Sequence, residues 1–227
     1  MRTIRANNLE FLIKEPAVIK EDCKTVFFFA LSAQDSLILP PFCNSVDNLI
    51  KAGTRVISTT LPCHENNQRP YNIKQLWLEK DEVITTFITD LAVAIKELTE
   101  IFPPPYGIMG ISRGCLISLH LASTLPEITS IVCFAPLLSL SPSHKLSTDQ
   151  LINSLANKNI YFFVGHNDSL IGTNNVIQFN NNLIEVCQNS KINPNIQTKL
   201  SPSIGRHGHG TSDEIFHEGA LWLAKTL

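Results

Sequence analysis

The stretch Gly110-Ile111-Ser112-Arg113-Gly114 decides how the chain is interpreted. An apolar run from Tyr106 precedes it and a helical pattern from Cys115 to Leu125 follows it, so it predicts a strand, a tight turn and a helix. Glycine is expected at both ends, because larger side chains there would collide with neighbouring backbone. The pattern predicts a nucleophilic Ser112 at the start of a helix. The simpler alternative is a serine that only caps the helix.

The composition of the 227-residue chain is that of a globular protein, with 44% apolar and 17% charged residues. A net charge of −2 gives no electrostatic basis for binding nucleic acid or an anionic membrane. The N-terminal residues lack the apolar core of a signal peptide, and no apolar run reaches the ~18 residues of a membrane helix. We therefore expect a cytoplasmic protein without membrane insertion.

The cysteines are scattered along the chain and have neither the spacing of a zinc site nor that of a disulfide framework. There are six, and several lie in apolar runs: Cys23, Cys43, Cys63, Cys115, Cys133 and Cys187. We expect free thiols, most of them in the core, and no metal.

Strand and helix patterns alternate along the chain. Apolar or β-branched runs predict strands at 26–31, 55–61, 106–110, 128–134, 160–164 and 196–200, after a short antiparallel lead-in within residues 1–22. Helices are predicted at 44–50, 115–125, 175–187 and 215–227, and the longest carries an apolar stripe of Val83, Phe87, Leu91, Ile95 and Leu98, widened by Ile84, Ile88 and Ile101. This order predicts one α/β domain over residues 1–227, with a mostly parallel central sheet and helices on both faces.

Polar and helix-capping signals separate these elements. Residues 32–35 and 63–74 are expected to be loops, and residues 137–157 are too few for more than a minimal lid. Asn44 or Ser45 is expected to cap the helix that Gly53 closes. The sequence Thr211-Ser212-Asp213-Glu214 has the pattern of a capping box ahead of the last helix.

A serine nucleophile needs an imidazole base and a carboxylate that orients it. Asp168 follows the strand at 160–164, and His207 and His209 lie between the last strand and the last helix. Reactive loops gather at the carboxyl ends of parallel strands, so these groups are expected at one edge with Ser112. His209 is favoured because glycine flanks it on both sides, and His207 stays an alternative base. A solvated loop histidine and a turn-forming aspartate are the simpler interpretations.

The other five histidines are interpreted as lying outside the triad. Two of them, His120 and His217, fall within predicted helices. The other three fall within loops: His64, His144 and His166.

The chain order Ser112, Asp168, His209, each after a predicted strand, resembles the α/β-hydrolase superfamily from about residue 23 to the end. The small lid and the tail His209-Gly210-Thr211 are most similar to compact esterases of the dienelactone-hydrolase and prolyl-oligopeptidase-like branch. The resemblance implies the α/β-hydrolase fold and a serine hydrolase. Such an enzyme would cleave a small carboxylic ester or thioester through an acyl-enzyme, with no cofactor.

The sequence departs from the family after the third strand, where His-Gly is usual and Ala30-Leu31-Ser32-Ala33 stands here. The turn after the fourth strand is also altered, to Leu61-Pro62-Cys63-His64. A backbone amide has no side-chain requirement, so the implied oxyanion donors are the amide of Arg113 and that of Leu31 or Ser32. Two alternatives stay open: a peptidase or amidase with the same triad, and a hydrolase fold that serves as a non-catalytic binding module.

Overall fold

A computed structural model describes residues 1–65, 73–79, 81–141 and 146–227. The strands are β1 (Arg2–Ala6), β2 (Leu9–Lys14), β3 (Thr25–Phe29), β4 (Arg55–Thr59), β5 (Tyr106–Ile111), β6 (Ile128–Phe134), β7 (Asn159–Gly165) and β8 (Ile196–Ser201). The α-helices are α1 (Ala33–Ile38), α2 (Cys43–Lys51), α3 (Ile73–Glu79), α4 (Asp81–Leu98), α5 (Arg113–Thr124), α6 (Ile152–Leu155), α7 (Thr173–Ser190) and α8 (Asp213–Thr226). Short 3₁₀ turns cover Thr148–Leu151 and Arg206–Gly208.

The strands form one sheet in the order β1-β2-β4-β3-β5-β6-β7-β8. β2 pairs antiparallel with both β1 and β4, and the other neighbouring strands are parallel. β4 and β5 lie on opposite sides of β3, so the winding of the chain reverses there, and a crevice opens at the carboxyl ends of the flanking strands. The predicted mostly parallel sheet and its antiparallel lead-in are confirmed.

Both faces of the sheet are buried, as the continuous apolar runs predict. In β3, Phe27 and Phe29 belong to the core on one face, and Val26 and Phe28 to the core on the other. Helices α4, α5 and α7 supply the first core, while α1, α2 and α8 supply the second. The prediction of helices on both faces is therefore confirmed.

The prediction of a loop at residues 32–35 is wrong, because α1 begins there. Ser32 is its N-cap, and the Ser32 hydroxyl accepts a hydrogen bond from the amide of Asp35 at 3.0 Å. A serine followed three residues later by an acidic residue is a signal for a helix start, and the short polar run concealed it.

Asn44 and Ser45 do not cap α2, whose N-cap is Phe42. Their side chains bind α8 instead. The Asn44 amide donates to the Asp213 carboxylate at 2.8 Å, and the Ser45 hydroxyl donates to the Phe216 carbonyl at 3.3 Å. A contact between distant parts of the chain has therefore replaced the local cap that the sequence predicts.

The two remaining cap predictions have opposite outcomes. Gly53 has a φ of 83°, and its amide donates to the carbonyl of Ile50 at 3.0 Å, so glycine closes α2 as predicted. The N-cap of α8 is Ser212 and not Thr211, so the predicted capping box is wrong.

The helix α4 confirms the longest predicted helix but shifts its buried stripe. Val83 and Ile101 are 49% and 53% exposed. The buried residues follow the spacing of one helical face: Ile84, Ile88, Leu91, Ile95 and Leu98.

Two predicted surface segments lie partly outside the described residues. Of the predicted loop at 63–74, residues 66–72 lie outside, and α3 begins at Ile73. Of the predicted lid at 137–157, residues 142–145 lie outside, His144 among them, and the rest contains the turn Thr148–Leu151 and α6.

All six cysteines are free, as predicted. Four are buried, namely Cys23, Cys115, Cys133 and Cys187. Two are partly exposed, namely Cys43 and Cys63. Across the described ranges, no helix combines the length and the hydrophobicity that a membrane crossing requires.

Glu15, directly after β2, holds two arginines beside the sheet. Its carboxylate accepts from Arg2 Nε at 2.8 Å and from Arg55 Nε at 2.6 Å, and the Arg55 guanidinium lies 4.3 Å from the centre of the Phe102 ring. The hydrogen bond from Arg2, helped by that from Arg55, lowers the pKa of Glu15 to about 2. A lowered pKa stabilises the folded protein above the ordinary value of 4.5, and this stabilisation is lost as the pH falls towards about 2.

We expect Glu15→Gln to lower the free energy of unfolding by about 2 kcal/mol at pH 7, because two arginines lose their charged partner. The difference from wild type should shrink between about pH 4.5 and pH 2. Urea unfolding at a series of pH values measures it. The control is Glu10→Gln, whose exposed pair with Arg5 at 3.3 Å contributes less than about 0.5 kcal/mol. A difference that does not vary with pH would contradict the assignment.

Candidate active site

Ser112 lies on strained backbone between β5 and α5. Its φ of 51° and ψ of −112° are rarely adopted by a residue with a side chain. The Ser112 amide donates to the Phe134 carbonyl at 2.9 Å, and the Ser112 carbonyl accepts from the Leu137 amide at 3.1 Å. These bonds hold the strained turn against the end of β6. The Ser112 side chain makes no capping hydrogen bond to α5, so the alternative of a simple helix cap does not describe it.

The two glycines of the turn are required by close contacts. A Cβ at Gly114 would lie 1.9 Å from the carbonyl oxygen of Phe29, and a Cβ at Gly110 would lie 2.4 Å from the carbonyl carbon of Gly114. Both distances are far below van der Waals contact. The first turn of α5 can therefore pack against the end of β3 only because glycine stands at 114.

We expect Gly114→Ala to destabilise the protein by about 3 kcal/mol or more, because the added methyl group has no space beside the backbone of β3. The matched control is Gly53→Ala, where a Cβ would meet nothing within 4 Å and only the φ of 83° is unfavourable. That substitution should cost about 1 kcal/mol. Chemical denaturation measures both values, and equal losses would contradict the packing argument.

The structure brings together the three side chains predicted from the sequence. His209 Nε2 lies 3.0 Å from Ser112 Oγ, and His209 Nδ1 lies 2.7 Å from Asp168 Oδ2. In the tautomer with its proton on Nδ1, the imidazole donates to the carboxylate and leaves the Nε2 lone pair for the serine proton. This arrangement can transfer a proton from a hydroxyl to an imidazole.

Asp168 is buried at the turn after β7, with only 2% of its surface exposed. Its Oδ1 atom accepts from the amides of Leu170 at 3.0 Å and Ile171 at 3.2 Å. The Asp168 amide donates to the Thr173 hydroxyl at 2.9 Å. Because backbone donors occupy Oδ1, the carboxylate is oriented so that Oδ2 is directed at His209.

The loop that carries His209 packs directly on the loop that carries Asp168. The Ser169 amide donates to the His207 carbonyl at 2.9 Å, and the Asn167 amide donates to the Ser203 hydroxyl at 2.7 Å. A Cβ at Gly208 would lie 2.4 Å from the Asn167 carbonyl oxygen. Backbone contacts therefore fix the imidazole and the carboxylate relative to each other.

His209 and not His207 lies between the serine and the aspartate. The His207 side chain is exposed, and the group that it contributes is its backbone carbonyl. Of the other histidines, His166 Nδ1 lies 3.2 Å from the Ser201 carbonyl, and His120 Nε2 lies 3.0 Å from the Leu146 carbonyl. The imidazole that lies between the serine and the aspartate is therefore that of His209, and its role as the base stays a prediction.

One of the predicted oxyanion donors is directed elsewhere. The amide of Leu31 donates to the hydroxyl of Ser36 at 3.2 Å, so it faces the first turn of α1. The reason is α1 itself, which the sequence analysis missed and which supplies Ser36. The amides of Ser32 and Arg113 stay predicted donors. That of Arg113 lies in the first turn of α5, where amides have no acceptor within the helix.

Two cavities lie at the same edge of the sheet. One, of about 510 Å³, is lined by Leu137 after β6 and by Ser169 and Phe179 beyond β7. The other, of about 410 Å³, is lined by Ser32 after β3 and by Thr60 after β4. Each has space for a small molecule, and the residues that line them do not include Ser112, Asp168 or His209. Within the described residues, no group of three or more His, Cys, Asp or Glu side chains could hold a metal ion.

The strand order, the serine on a strained turn after β5 and the side chains after β7 and β8 together define the α/β-hydrolase fold. No protein-family model matches the sequence, and no curated protein matches it either. Solved structures do match in fold over nearly the whole chain.

Three of these structures illustrate the likeness. The protein TT1662 from Thermus thermophilus superposes with a TM-score of 0.72 at 12% identity, over 99% of this chain and 97% of that one. A cold-adapted esterase from an Arctic intertidal metagenomic library gives 0.70 at 12% identity, over 100% and 92% of the two chains. A dienelactone hydrolase from Anabaena variabilis gives 0.61 at 16% identity, over 99% and 94%. The chain therefore has the α/β-hydrolase fold, as the resemblance implies.

Proposed function

We propose that the protein is a serine hydrolase that cleaves small carboxylic esters or thioesters. The observation that carries this proposal is the continuous chain from Ser112 Oγ through His209, with separations of 3.0 Å and 2.7 Å, to the buried carboxylate of Asp168. The esterase and the dienelactone hydrolase among the structures of the same fold support a hydrolase.

The acylation half-reaction follows from this geometry. His209 Nε2 takes the proton from Ser112 as the serine Oγ attacks the carbonyl carbon of the ester. Asp168 accepts a hydrogen bond from Nδ1 and stabilises the imidazolium that forms. The amides of Arg113 and Ser32 donate to the oxyanion of the tetrahedral intermediate. The imidazolium then gives its proton to the leaving alcohol or thiol, and the acyl group stays on the serine.

The deacylation half-reaction uses the same groups. His209 removes a proton from a water molecule, which attacks the carbonyl carbon of the acyl-enzyme. The second tetrahedral intermediate collapses when the imidazolium returns the proton to the serine oxygen. The carboxylic acid is released, and the Ser112 hydroxyl is regenerated.

A fluorophosphonate probe should label the wild-type protein, because the probe reacts with an activated serine. Ser112→Ala should abolish the labelling and lower the turnover of a p-nitrophenyl ester by at least about 10⁴-fold, since the nucleophile is lost. The control is Ser190→Ala, which changes an exposed serine at the end of α7 and should leave both readouts unchanged. Labelling that persists in Ser112→Ala would place the nucleophile elsewhere.

The choice of base has its own test. His209→Asn should lower ester turnover by about 10⁴-fold, because Ser112 loses its proton acceptor. His207→Asn should keep most of the wild-type turnover, since asparagine tolerates the φ of 60° at this exposed position and preserves the carbonyl. Steady-state kinetics on the two variants make the comparison. The reverse order of activities would make His207 the base.

Assays of the wild-type protein distinguish an esterase from the two alternatives, an amidase and a non-catalytic binding module. Matched ester and anilide substrates are compared, because an amide needs protonation of a much poorer leaving group. Turnover of the ester alone supports the esterase. Comparable turnover of the anilide would indicate an amidase, and reversible ligand binding without turnover of either substrate would indicate a binding module.

A further inference from the structure

The side chain of Arg113, the residue after Ser112, lies near the ring of a buried tryptophan. The Arg113 guanidinium lies 5.8 Å from the centre of the Trp77 ring of α3. Trp77 is fully buried, and its indole Nε1 donates to the Pro62 carbonyl at 3.1 Å. The arginine therefore does not extend freely along the surface. It reaches from the end of β5 to the segment after β4 and is held there by a cation–π contact.

The charge of Arg113 has no counter-ion among the described residues. Its Nε atom is buried and makes no hydrogen bond within the described part of the chain. Burial lowers the pKa of the guanidinium to about 10, against the opposing effect of the Cys63 thiol, so the group stays protonated at neutral pH. Arg55 is the contrasting case, because it is buried against the carboxylate of Glu15. A desolvated cation without an anion is unfavourable unless a ligand supplies the anion.

The sheet order places this cation on one particular side of the scissile bond. Ser112 follows β5, and Ser32 follows the neighbouring strand β3. The Arg113 guanidinium lies near Trp77, which is bound to the segment that follows β4. His209 approaches from the opposite direction, from the loop after β8. In the proposed reaction the leaving group faces His209, which protonates it. An acyl part that extends to the other side of Ser112 would be directed towards Arg113.

We propose that Arg113 selects esters whose acyl part ends in a carboxylate, such as half-esters of short dicarboxylic acids. This inference rests on the proposed serine-hydrolase function and names its substrate class. A guanidinium offers two parallel N–H donors that match the two oxygens of a carboxylate, and this pairing is strongest where water is excluded. The acyl carboxylate would supply an anion that no described residue offers to this cation.

The test compares two substrates that differ only in charge. Monoethyl glutarate carries the acyl carboxylate, and ethyl 4-carbamoylbutanoate replaces it with a neutral amide of the same shape. We expect kcat/KM of the wild-type protein to favour the carboxylate by about 10- to 100-fold, as for a hydrogen-bonded charge pair. Arg113→Gln should bring the ratio close to one. Arg113→Lys should retain part of it, because lysine keeps the charge but loses the paired donors.

A matched variant separates this contact from the general field of the protein. Arg206→Gln removes an exposed cation near His209, whose charge solvent and salt screen, so it should leave the substrate ratio unchanged. If Arg206→Gln lowers the ratio as much as Arg113→Gln does, the preference is a long-range effect and the inference is overturned.

Labelling with a fluorophosphonate distinguishes a failure of the proposed serine-hydrolase function from a failure of the proposed role of Arg113. Wild-type protein that is folded and unlabelled would refute the proposed serine hydrolase itself. Labelled wild-type protein with a substrate ratio near one would refute only the role of Arg113. If Arg113→Gln does not fold, the wild-type ratio and the ratio of Arg113→Lys decide. An undiminished preference in Arg113→Lys also overturns bidentate recognition.

Discussion

The close approach of α5 to the end of β3 governs the geometry of the candidate site. Only a hydrogen atom fits between the backbone of Gly114 and the carbonyl of Phe29, so the helix begins directly against the neighbouring strand. The chain must then leave β5 through a sharp turn, and Ser112 takes the positive φ that such a turn requires. The strained backbone at Ser112 and the start of α5 against β3 thus share one cause.

Much of the fold, and the meeting of Ser112, Asp168 and His209, could be predicted because the signals are local. Buried strands are recognised as continuous apolar runs, and parallel strands bring the residues that follow them to one edge of the sheet. Ser112 and Asp168 each come soon after such a run, and His209 follows β8, a strand of mixed polarity. The choice between His209 and His207 needed coordinates, because two histidines separated by one residue have nearly the same sequence context.

The predictions that failed have two kinds of cause: contacts between distant parts of the chain and helices too short to show a periodic pattern. Asn44 does not cap α2, because its amide binds the carboxylate of Asp213, 169 residues away. No local sequence pattern indicates this partner. The helix α1 is only six residues long, too short for a periodic apolar stripe, so its sequence is indistinguishable from a polar loop. The hydroxyl of Ser36 in this helix accepts from the Leu31 amide, so of the two alternatives Leu31 and Ser32 only Ser32 stays a predicted oxyanion donor. The lack of a hydrogen-bond partner for Arg113 Nε among the described residues is likewise visible only in the assembled structure.

The contact between the loops of Asp168 and His209 divides the site into two mechanical units. One unit is the serine turn, held between β3 and β6 in the middle of the sheet. The other is the pair of Asp168 and His209, whose two loops are joined by hydrogen bonds and follow β7 and the edge strand β8. An edge strand has hydrogen-bonded partners on one side only, so it is the first to separate in local unfolding. Heat should therefore move His209 and Asp168 away from Ser112 together, before the central sheet is lost.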